Sequence, residues 1–142
     1  KAGEFVYDHP FQWGSKRTGP DLAREGGKQT DSWHYNHMYD PRSMSPGSIM
    51  PRYIWLLDRA LDTASTPAKI RAMQTLGVPY PAGYDKIANS DLMKQAESIT
   101  ANLKKDKIVT PSNAEIIAMI AYLQRIGTDI KAEPKQPVAE LK

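Results

Sequence analysis

Prolines at 41, 46 and 51, with Gly47 among them, interrupt the middle of this chain. Proline fixes φ and has no amide hydrogen, so no regular element is expected across Asp40–Pro51. A stiff loop must therefore be held by its neighbours. It ends in Met50-Pro51, and the aromatic residues Tyr53 and Trp55 and the leucines 56 and 57 follow at once. A thioether in such a loop has two uses. Methionine fills irregular gaps in a core, and its sulfur is one of the standard axial ligands of a haem iron. On this stretch alone, core filling is the commoner use.

The rest of the chain reads as mainly α, with long loops before Thr66. Thr30 or Asp31 is a good N-cap for a helix running to about Tyr39, where Asp40-Pro41 stops it. Trp33, His37 and Met38 share a face of that helix. A short turn is expected over Ile54–Leu61. Ser65-Thr66-Pro67 opens a further helix with an apolar stripe of Ile70, Met73 and Leu76, and Gly77 stops it. Leu92, Ala96, Ile99 and Leu103 stand at helical spacing between Ser90 and Lys104. Ser112-Asn113-Ala114-Glu115 has the form of a capping box. Behind it, Ile116, Ile117, Met119, Ile120, Leu123 and Ile126 give a wide apolar face as far as Gly127. Earlier in the chain, Pro20 suits the first turn of a short helix through Arg24 or Glu25, closed by Gly26-Gly27. One domain over 1–127 is expected, followed by a flexible tail over 128–142, where Pro134 and Pro137 sit among charges.

The chemistry that this composition excludes is informative. The 142 residues include no cysteine, so disulfides, thiolate metal sites and thioether attachment of haem are excluded within them. No apolar run approaches the roughly 18 residues that a membrane span needs. The net charge of +3 is mild and its lysines and arginines are dispersed, apart from Lys104, Lys105 and Lys107, so nucleic acid is not an expected partner. There is no Gly-rich phosphate loop and no G-x-S-x-G elbow. Lys1 stands first, which reads as a boundary within a longer product.

Two constellations remain. His34 and His37 lie three apart on a predicted helix and could face one metal ion, with a third ligand from His9 or a carboxylate. The plainer reading of the pair is a solvated helix face beside Trp33. Arg17, next to Gly19-Pro20, could clamp a carboxylate such as a haem propionate, or stand exposed in a loop.

Several segments together carry a resemblance. Phe11-Gln12-Trp13-Gly14-Ser15-Lys16-Arg17-Thr18-Gly19-Pro20-Asp21-Leu22 closely resembles part of the mono-haem cytochrome c subunit of cbb3-type cytochrome c oxidases. So do Trp33-His34, Asp40-Pro41-Arg42, Ser48-Ile49-Met50-Pro51, Leu76-Gly77-Val78-Pro79-Tyr80 and the helix over Ala118–Leu123. The likeness runs from about Gly3 to Gly127.

The resemblance implies an incomplete cytochrome c-like helical domain at the periplasmic face of a bacterial inner membrane. Its function would be to pass electrons through a c-type haem towards the catalytic subunit of a terminal oxidase, with the catalytic and di-haem cytochrome c subunits as partners. Met50 matches the family's axial methionine. Pro20 matches the proline whose carbonyl supports the proximal histidine. Leu22 would pack on the porphyrin, and Arg17, Tyr53 and Trp55 are candidates for its edge and propionates.

The family's C-x-x-C-H motif has no counterpart in these residues. The chain therefore resembles the distal part of the domain, with the attachment segment and membrane anchor lying upstream. As given, it is expected to be haem-free and to have no catalytic centre of its own. It would cover its exposed pocket wall by refolding or by forming a homodimer. The long insertion between Met50 and the last helix is expected to pack over one side of the haem or against the oxidase core. Two other functions stay open on the residues: a non-redox helical interaction module, and a weak metal-binding module built on His34 and His37.

Overall fold

The computed structural model describes residues 19–128. A 3-10 turn over Leu22–Arg24 leads into six helices: α1 (Asp31–Tyr39), α2 (Pro41–Met44), α3 (Trp55–Asp58), α4 (Thr66–Thr75), α5 (Tyr84–Lys105) and α6 (Glu115–Arg125). The class is mainly α, as expected. Among the described residues the only β pairing is one isolated bridge between Ala60 and Ala114.

The core lies between α5 and α6. The two helices interleave Ala96, Ile99 and Leu103 with Ile116, Ile117 and Ile120, and Leu56 of α3 closes the end. Leu103, Ile116 and Ile120 are wholly sealed from solvent. These are the residues whose 3.6-residue spacing marked them in the sequence. α1 lies across both helices and is tied to them by polar contacts. Asp31 accepts from Gln124 Nε2 of α6 (2.8 Å) and from Asn102 Nδ2 of α5 (3.0 Å).

Several expectations need correction. The Pro41–Pro51 stretch is not wholly irregular, because α2 makes one helical turn with Pro41 at its first position, where a missing amide hydrogen costs nothing. α5 starts at Tyr84, about six residues before the expected Ser90. Gly83, at φ +77°, turns the chain out of Pro81, and Ala88 extends the buried stripe by one turn. The stripe on α4 is not a core face: α4 buries no residue, and Met73 and Leu76 are exposed. α4 packs chiefly on α5, and Arg71 of α4 pairs with Asp85 at 3.0 Å. The capping box does not form. Ala114 is the N-cap of α6 and makes no side-chain cap bond. The Glu115 amide donates to the Arg59 carbonyl instead (2.9 Å), beside the Ala60–Ala114 bridge. A backbone acceptor from a distant segment has taken the place of the local hydroxyl.

Candidate functional site

Three short pieces of chain converge at the open end of α1. The first is the 3-10 turn. Asp21 caps it by accepting from the Ala23 amide (3.2 Å), so Pro20 stands just outside the turn. The turn is seamed to the end of α6: the Gly26 amide donates to the Ile126 carbonyl (2.8 Å), and the Gly27 amide donates to Gln124 Oε1 (3.2 Å).

The second piece is α1 itself. Thr30 accepts from the Trp33 amide (3.2 Å), as its N-cap position predicts. One turn apart, the Trp33 and His37 rings stack at 4.5 Å and 11°, and His34 meets Trp33 edge-on at 5.4 Å. The third is the loop carrying Met50. The Ser48 hydroxyl accepts from the Met50 amide (3.2 Å), and the Tyr53 amide donates to the Met38 carbonyl (2.9 Å), which anchors the loop to α1.

Between these pieces is a cavity of about 100 Å³. Pro20, Leu22 and Met50 line it together with Trp33, His37 and Leu123. Pro20, His37 and Met50 also border an adjoining open cleft of about 720 Å³, walled otherwise by the Ser45–Ile49 loop. The narrow cavity is too small for a large cofactor, but the cleft lies in the range of ordinary cofactor sites. The structure thus brings together three of the residues singled out in the sequence, Met50, Pro20 and Leu22. Tyr53 and Trp55 are not part of this wall. They pair with each other at 5.1 Å, Tyr53 packs on the core, and Trp55 is largely exposed. Arg17 and His9 lie outside the described residues.

Wall residues that the sequence reading left unassigned to a pocket are Leu123, Met38 and Glu25. Leu123 carried a signal, since it ends the apolar face of α6. Glu25 carried none, yet its carboxylate is nearly sealed and 4.0 Å from Lys28 Nζ. His34, also in the wall, is only 2% exposed.

Burial sets the charge state of the two histidines in the wall. Burial lowers the pKa of His34, against the opposing pull of the Glu25 and Asp31 carboxylates. Burial lowers His37 as well, again against Glu25. Both rings are therefore neutral near pH 7. His34 Nε2 and His37 Nδ1 are sealed and have no hydrogen-bond partner among the described residues. Buried polar atoms without partners are uncommon in native proteins. No group of three or more His, Asp or Glu side chains is arranged to hold a metal ion among the described residues, so His34 and His37 have no third ligand there.

A thioether, two apolar residues and a neutral aromatic face fit one side of a haem. Thioether attachment would need cysteines that these residues do not contain. No helix among the described residues is long and apolar enough to cross a membrane. No curated protein sequence matches the chain significantly. Residues 1–130 match the family described as "Cytochrome C oxidase, mono-heme subunit/FixO". The match spans most of the chain, and on that ground the protein belongs to the FixO family of mono-haem cytochrome c oxidase subunits.

Proposed function

We propose that this chain forms the methionine side of the haem c site in a cbb3-type oxidase, at the periplasmic face of the inner membrane. There it takes part in passing electrons from a c-type cytochrome towards the catalytic subunit. The family's membership of an oxidase complex supports the general role. The observation that carries the local assignment is the shared border of Met50, Pro20, Leu22 and the Trp33–His37 stack.

Bound haem would supply reversible one-electron chemistry. The chain's own residues do the rest. Met50 offers a soft, neutral sulfur, which favours the reduced, less charged iron and raises the potential. Leu22 and Leu123 exclude water from one face. Trp33 would keep the His37 ring in place by stacking on it at 4.5 Å. In this reading the covalent attachment and the proximal imidazole come from polypeptide outside the present sequence. The exposed apolar groups on the α4–α5 hairpin, with Leu76 at 79% exposure, suit contact with the catalytic or di-haem cytochrome c subunit.

Met50→Ala in the haem-loaded, full-length subunit tests the assignment. The expected result is loss of the thioether-to-ferric-iron charge-transfer band. The potential should also fall, by a sizeable part of the roughly 0.8 V range that axial ligands span. A variant that keeps both the band and the potential would remove Met50 from the iron.

A further inference from the structure

Met50 borders a third space, a hollow of about 330 Å³ walled by Asp40, Pro41, Arg42, Pro51 and Arg52. Its two arginines are held unusually well for exposed side chains. Arg42 donates from Nε to the Ser48 carbonyl (3.3 Å), and Arg52 donates from Nε to the Tyr39 carbonyl (2.8 Å). The Arg52 guanidinium also lies over the Tyr39 ring, 4.9 Å from its centre. In each case Nε is spent on the backbone, and both residues wall the hollow. No carboxylate lies within ion-pair distance of either guanidinium among the described residues. Two guanidiniums in one hollow repel each other unless an anion lies between or against them. Their planar forks match a carboxylate, and tethering them in advance lowers the entropy cost of binding one.

We propose that Arg42 and Arg52 form a two-armed clamp for a carboxylate at the Met50 loop, and that the carboxylate is a propionate of the haem. The proposal rests on the haem assignment made above for Met50. The hollow and the open cleft share Met50 and Pro51 as a common border, so one ligand with an apolar body and a carboxylate edge reaches both. Haem is such a ligand. An acidic side chain of a partner subunit could satisfy the arginines but would leave the open cleft unfilled. The loop would then have two jobs: its sulfur faces the iron, and the residues on either side of it neutralise the edge.

The test uses the haem-loaded, full-length subunit. Potentiometry across pH compares the parent with Arg42→Gln, Arg52→Gln, the double variant, and Lys69→Gln on α4 as a remote charge control. Removing a clamp arginine should lower the potential, more so in the double variant, because a positive charge near the haem disfavours the ferric state. It should also add a pH-dependent limb at mildly acidic pH, as the unpaired carboxylate begins to titrate. Lys69→Gln should do neither. Arg42→Lys and Arg52→Lys keep the charge but lose the fork. They should retain most of the potential yet shift the propionate carboxylate band in the infrared difference spectrum between redox states, a readout that survives if the Gln variants do not accumulate.

An unchanged potential with an unchanged carboxylate band overturns the clamp. So does an unchanged potential accompanied by salt-sensitive weakening of oxidase assembly, which would give the carboxylate to a partner protein. Absence of the thioether-to-iron band in the parent protein would instead sink the Met50 assignment, and the clamp with it. A present band with an unmoved potential sinks the clamp alone.

Discussion

The seam between the 3-10 turn and the end of α6 holds one wall of the site, and three glycine substitutions measure it. Gly127 sits at φ +73°, and a Cβ there would strike the Ala23 carbonyl and the Arg24 amide nitrogen. These are backbone atoms and cannot swing aside. Gly27 has the same φ of +73° but open space around the Cβ position. Gly26 lies outside the left-handed region, yet its Cβ would meet the Ile126 and Gln124 carbonyls. Gly27→Ala isolates the conformational cost, about 1 kcal/mol once the stiffer unfolded chain is allowed for. Gly26→Ala isolates the steric cost. The seam must part, which sacrifices the Gly26–Ile126 hydrogen bond (2.8 Å) and its packing, about 2 kcal/mol in all. Gly127→Ala bears both costs, about 3 kcal/mol. Urea unfolding of the chain gives the order, and hydrogen exchange at the Gly26 amide shows whether the seam opens locally. If Gly127→Ala proved no worse than Gly27→Ala, the close approach to Ala23 would be wrong, and with it the placement of Pro20 and Leu22.

Two further outcomes follow from burial and charge. Leu103→Ala should cost about 3 kcal/mol, because that side chain is wholly enclosed. Leu76→Ala, at 79% exposure, should stay within about 0.5 kcal/mol in the same urea titration. The buried His34 has a folded pKa below its ordinary 6.5, so the unfolded chain takes up the proton first. Stability from this group is intact above 6.5 and is lost as pH falls from there through the lowered folded value. Urea midpoints should therefore drop on acidification from neutral pH to about pH 5, and His34→Gln should flatten that limb. An equally steep limb in the variant would assign the acid sensitivity to other groups.

What could be read in the sequence was whatever local chemistry decides. α1 follows from Thr30 and from Asp40-Pro41, and α6 from an unbroken apolar face. Local chemistry alone favoured core filling for Met50, and its grouping with Pro20 and Leu22 came with the family resemblance. The errors arise where a distant segment decides. The stripe on α4 has helical spacing, but spacing alone does not supply a partner, and α4 packs chiefly on α5 without burying a residue. Ser112 and Glu115 fit a capping box until the Arg59 carbonyl takes the amide. Leu123 read as core and is also pocket wall, while Glu25 reached the pocket through the Gly26 seam, which no local pattern announces.

The two walls of the site are held separately. Pro20 and Leu22 hang on α6 through Gly26–Ile126 and Gln124. The Met50 loop hangs on α1 through Tyr53–Met38 and Arg52–Tyr39. The gap between them is therefore set by how α1 sits on α6. Asp31 helps to hold that placement through Gln124, and Gln124 also reaches the Gln29 carbonyl (2.9 Å). One glutamine on α6 thus supports the turn, the start of α1 and, through α1, the methionine loop. Under the proposed haem assignment, the Met50 sulfur needs its position held to a fraction of an ångström. Here that control belongs in part to polar contacts a full helix away from Met50. A flexible loop alone, however rich in proline, could not provide it.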